Sequence, residues 1–149
     1  MVIISMFIFL AIAVVVIAAI IMVGFIGVGS VAAAAGGLAG VFTINDKYTK
    51  TLALLLCLSI FFFAVCCLAL VGGFIWGRAL VGFAIIGCVS AMAALILGIL
   101  SLKMSLKIEK TSTKALLIVL SVLATLLGVA ALIVHSLIAV LVIMVPIMT

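Results

Sequence analysis

Residues 44–50 read I-N-D-K-Y-T-K and residues 103–114 read K-M-S-L-K-I-E-K-T-S-T-K, and these two stretches decide the fold. They hold Lys47, Lys50, Lys103, Lys107, Lys110 and Lys114, together with both acids, Asp46 and Glu109. Arg78 is the only other charged residue. The runs they separate, 1–44, 51–77, 79–102 and 115–149, carry no formal charge. Crossing a hydrocarbon layer takes about 20 helical residues, and every run is long enough. Uninterrupted apolarity of this length argues for helices rather than strands. A helix also satisfies its own backbone where no water is available. The expectation is an all-α, membrane-type chain forming one domain over 1–149, with four long apolar helices arranged as two tandem helical hairpins. The first and last runs exceed one ordinary crossing. They either tilt or extend, or they break near Gly24–Gly29 and near Pro146.

Composition points the same way. Apolar residues make up 72% of the 149 residues and charged residues 6%, against roughly 45–50% and about 25% in soluble domains. Too little polar surface exists to cover a water-soluble globule, so the helices must face lipid or other copies of the chain. The N-terminal run lacks a basic leader and far exceeds the apolar core of a signal peptide, so it reads as a helix. Both Lys-bearing turns fall on one side of an up-down arrangement, opposite Arg78. The positive-inside rule would put that side in the cytoplasm, with Trp76 as an interface anchor on the other.

An internal duplication is expected. V-G-F-I-G-V-G-S-V-A-A-A at 23–34 aligns with V-G-F-A-I-I-G-C-V-S-A-M-A-A at 81–94, allowing a two-residue gap. The first turn, I-N-D-K-Y-T-K-T-L, matches I-E-K-T-S-T-K-A-L at 108–116. Ser5, Phe7 and Phe9 echo Ser59, Phe61 and Phe63. The two copies would be the hairpins 1–76 and 77–149.

Small residues form stripes at a spacing of four: Ala32, Gly36 and Gly40; Gly29, Ala33 and Gly37; and, in the second copy, Ser90, Ala94 and Gly98. Such stripes let helices approach closely where lipid removes the hydrophobic drive to associate. They serve packing within one molecule, packing between copies, or the close approach of a ligand.

Catalytic chemistry is not expected. Cys57, Cys66, Cys67 and Cys88 lie in apolar runs without a C-x-x-C spacing, and read as packing residues. No phosphate loop, metal cluster or dinucleotide fingerprint occurs, so neither cofactor nor metal is anticipated. His135 is the sole ionisable side chain inside an apolar run besides the cysteines, and it has no acid in reach to form a catalytic pair. Its distance from Lys114 puts it near the opposite interface, in a structural or interfacial role. Duplicated hairpins with a Gly-rich first helix resemble the rotary-ATPase proteolipid, but no helix here contains the acid that carries the ion. Small four-helix drug exporters are disfavoured for the same reason. Membrane glutathione transferases need polar and Arg-rich positions, and quinone-linked thiol oxidases need C-x-x-C; both are missing.

Paired apolar helices, basic turns and scarce polar side chains over the whole chain resemble the hydrophobic helical-hairpin coat proteins of spindle-shaped archaeal viruses. That resemblance implies a structural, self-assembling protein of a capsid or envelope shell. Its partners would be other copies of itself, lipid, and nucleic-acid phosphates held non-specifically by the six Lys. The alternative is a multi-pass accessory or scaffold subunit of a membrane complex, with a channel behind it.

Overall fold

A computed structural model describes residues 2–76, 80–108 and 111–144. It contains four helices: α1 (Val2–Val41), α2 (Lys47–Ile75), α3 (Leu80–Ser105) and α4 (Thr111–Met144). All four are long and apolar enough to cross a membrane. The all-α expectation is met. Neither open question about breaks produced one among the described residues: α1 runs unbroken through Gly24–Gly29, and α4 continues to Met144. Pro146 lies outside the described residues.

The polar turns end the helices by ordinary capping chemistry. Asp46 is extended (φ −74°, ψ 119°), and its carboxylate accepts the Thr49 backbone N–H at 2.9 Å. The Thr49 hydroxyl donates to the same oxygen. This satisfies donors that the first turn of α2 cannot pair internally. At the far end of α2 the Trp76 N–H returns to the Gly72 carbonyl at 2.9 Å.

Successive helices run antiparallel. Within the first hairpin, Gly24 faces Val71, Gly27 faces Cys67 and Gly37 faces Cys57. Between the hairpins, Gly72 faces Phe83, the Cys66 thiol donates to the Gly87 carbonyl at 3.5 Å, and the Ser59 hydroxyl donates to the Ala94 carbonyl at 2.9 Å. Within the second hairpin, Gly87 faces His135, Leu95 faces Gly128 and Gly98 faces Thr125. Helix α2 is therefore central: it packs on α1, on α3 and more lightly on α4. Among the described residues α1 touches α2 alone, so the four helices do not close into a ring.

The interior is built from small side chains at alternating spacings of three and four. In α3 the row is Ala84, Gly87, Ala91, Ala94, Gly98, Ser101 and Ser105, all buried. In α4 it is Leu117, Ser121, Ala124, Gly128, Ala131 and His135, all buried. This is the seam spacing of left-handed helix pairs, here with glycine, alanine and serine in place of leucine. Bulky side chains face outward instead: Ile85, Val89, Ile96, Leu123 and Leu137 are exposed. In a lipid medium this inversion is sensible. Outward leucines meet lipid at no cost, while small inward residues bring backbones close enough to collect dispersion contacts.

One consequence of the register is an overhang. Ile75, the last residue of α2, lies level with about Ile20 of α1. Residues 2–19 of α1 continue past it for about 27 Å at 1.5 Å per residue. Met6 and most side chains of residues 8–19 are uncovered, Met6 being 72% and Phe9 75% exposed.

Candidate functional site

Two surfaces fit the chemistry anticipated from the sequence: the helix faces rich in small residues, and the basic end.

The small-residue stripes divide between interior and surface. Ser90, Ala94 and Gly98 are buried between the helices of one molecule. Gly98 is held against the Thr125 backbone, where an added β-carbon would come within 3.1 Å of its N and Cα. Gly37 also faces inward, against the Cys57 sulfur. In contrast, Gly29, Gly36 and Gly40 open onto empty space, and Ala32 and Ala33 beside them are exposed. These five residues lie on the side of α1 turned away from α2. The face that α1 gives to α2 instead uses Gly27, Ala34 and Val41, at a spacing of seven, all buried.

The reading of the sequence missed most of the close-approach positions: Gly27, Gly72, Gly73, Gly87, Gly128 and Ser59. A signal for several was present. Small residues at spacings of three and four mark the seams of α3 and α4 more completely than a spacing of four does. That alternation also takes in His135.

His135 is 1% exposed. Its side chain is packed between α3 and α4, against Gly87. Nδ1 lies 2.8 Å from the Ala131 carbonyl, which can only accept, so Nδ1 carries the proton. No hydrogen-bond partner reaches Nε2 among the described residues. The Ser121 hydroxyl is likewise buried without a partner among them. The other hydroxyls fold back on backbone carbonyls: Ser101 on Gly98 at 2.7 Å, Ser105 on Leu102 at 2.8 Å and Thr125 on Ser121 at 2.8 Å. Apart from the Ser121 hydroxyl and His135 Nε2, these interior polar groups are spent on backbone carbonyls of their own or a neighbouring helix. Among the described residues, no three His, Cys, Asp or Glu side chains gather as a metal site.

The basic end is brought together by Tyr48. Its hydroxyl donates to the Met104 carbonyl at 2.8 Å, tying the start of α2 to the end of α3. Lys47, Lys103 and Lys107 are exposed there. Lys50 is half-buried, with its ammonium 5.7 Å from the centre of the Phe42 ring, and Lys114 is half-buried in the first turn of α4. Lys110 and Arg78 lie outside the described residues. Asp46 is engaged by Thr49, so the described part of this end presents a net positive surface.

A groove of about 200 Å³ runs over α2 between α1 and α4. Leu56, Ile60 and Phe63 form its floor with Ser59; Ser30 stands on the α1 wall and Leu120, Leu123, Ala124 and Leu127 on the α4 wall. It exists because α1 and α4 do not meet.

No family model, curated protein or solved structure matches this chain.

Proposed function

We propose that this is a non-enzymatic structural protein that assembles with copies of itself through apolar helix packing, as the shell of a virion or as an ordered layer in a membrane. The observation that carries the reading is the outer face of α1. Gly29, Gly36 and Gly40 stand open there, on a helix held by a single neighbour. A face of small residues gains little from lipid, which fills an irregular surface poorly. It gains much from another helix that can approach closely. The second hairpin uses the same residue types inside the molecule, at Ala94 against Ser59 and Gly98 against Thr125.

The basic end supports a phosphate-facing side. Lys47, Lys50, Lys103, Lys107 and Lys114 converge there, and Lys110 belongs to the same turn in sequence. In a shell they would neutralise packaged nucleic acid without reading its sequence. In a bilayer they would meet anionic headgroups and fix orientation. The same open α1 face also suits a scaffold subunit that packs beside an unlike membrane protein.

Electron microscopy of the full chain after slow detergent removal tests the proposal. Ordered sheets, tubes or closed shells made of this chain alone are expected. Single copies dispersed in lipid at every protein density, or a single copy recovered among unlike subunits from its native source, would overturn it.

A further inference from the structure

Two side chains able to bind a metal, from two different helices, converge on one glycine. Cys66 of α2 lies with its sulfur 3.5 Å from the Gly87 carbonyl oxygen. On α4, Nε2 and Cδ2 of His135 fill the place that a Gly87 β-carbon would take. Cys66 also packs in one buried cluster with Ala91 and Ala131. The Ala131 carbonyl is the group that holds His135 Nδ1, at 2.8 Å. The thiol and the imidazole thus border the same two residues, Gly87 and Ala131, and each side chain is 1% exposed.

His135 is already set as a metal-binding histidine is set. Such a ring gives its second N–H to a carbonyl or carboxylate, which fixes its orientation and presents the other nitrogen to the ion. Nδ1 makes that bond to Ala131. Nε2 is buried and has no partner among the described residues, a costly state in an apolar interior unless something binds there. Gly87 admits both groups because it has no side chain of its own.

We infer that Cys66 Sγ and His135 Nε2 bind one copper(I) ion beside Gly87, bridging α2 and α4. Charge and softness select the ion. A thiolate, a monovalent cation and a neutral imidazole sum to zero, so the complex adds no net charge to an interior that penalises one heavily. Divalent zinc on the same pair would leave a positive charge, and it ordinarily takes four ligands. Among the described residues, no third His, Cys, Asp or Glu gathers with these two. Copper(I) is satisfied by two ligands in line and favours thiolate and imidazole. On binding, the Cys66 S–H bond breaks and its proton leaves to solvent. The sulfur turns from the Gly87 carbonyl to form the S–Cu bond, and the Nε2 lone pair forms the N–Cu bond. Copper remains monovalent, so no electron donor or acceptor is needed. The ion ties α2 directly to α4, two helices that otherwise touch lightly. The remaining cysteines are placed for other contacts: Cys57 and Cys67 face Gly37 and Gly27 of α1, and Cys88 is half-buried.

Copper(I), supplied anaerobically as its acetonitrile complex to the reduced full chain in detergent, tests the site. One equivalent should survive gel filtration, and X-ray absorption at the copper edge should show a first shell of one sulfur and one nitrogen. Cys66→Ser and His135→Leu should each lose the equivalent while circular dichroism shows the parent's helicity. Cys67→Ser, on the α1 side of the same helix, should keep it. A first shell of sulfur alone, an equivalent retained by His135→Leu, or a folded parent chain that holds no copper would overturn the inference. The spectrum of the parent chain decides the matter even where a variant fails to fold.

Discussion

The imidazole of His135 on α4 occupies the space that a β-carbon on Gly87 of α3 would need. One residue carries a ring and the other has no side chain, so the seam closes only because the two face each other. The Gly87 carbonyl meanwhile accepts the Cys66 thiol from α2, so α2, α3 and α4 are stitched together at one level.

Gly87→Ala should therefore destabilise the folded chain through overpacking, by about 1–3 kcal/mol. Pairing it with His135→Ala should recover part of that loss, because the two sites share one space and do not act additively. Reversible unfolding in detergent measures both. His135→Leu should fold and assemble nearly as the parent does: it keeps the volume, and it removes a buried nitrogen that has no partner among the described residues. Equal stability of Gly87→Ala and the parent would show that the ring is not held where it stands.

The two small-residue stripes should respond differently to leucine. Gly36→Leu with Gly40→Leu places bulk into open space, so the isolated chain should keep its helicity and thermal stability while ordered assembly fails. Ala94→Leu with Gly98→Leu places bulk between packed helices, Ala94 being 0% exposed. That pair should weaken the monomer itself, by about 1–3 kcal/mol per site. Circular dichroism and electron microscopy on the same samples separate the effects. Intact assemblies from the Gly36/Gly40 variant would mean that this face meets only lipid.

Replacing Lys107, Lys110 and Lys114 with Gln should weaken retention of nucleic acid while the layer still forms. The difference from the parent should shrink as salt rises, since counterion release drives such contacts. Filter binding across a salt series measures it. A change in membrane insertion or orientation, with nucleic-acid retention unaltered at low salt, would assign the basic end to headgroups instead.

The sequence by itself determined the number of helices, where they turn, and which end is basic. Those outcomes follow from local causes. Uncharged runs of more than twenty residues have no stable alternative to a helix in an apolar medium, and polar turns such as Asp46–Thr49 cap what they interrupt. Tertiary structure alone decided which face of each helix turns inward. In a soluble helix the polar side announces the outside. Here Ile85 and Ala84 are both apolar, yet one is exposed and the other buried, because size and not polarity sorts them. That choice depends on the partner: Gly87 makes sense only opposite His135, and Gly98 only opposite the Thr125 backbone. Gly36 and Gly98 look alike in sequence and end on opposite sides of the molecule's surface. The first lies on a helix with a single neighbour and the second on a helix between two, a distinction that exists only once the helices have packed.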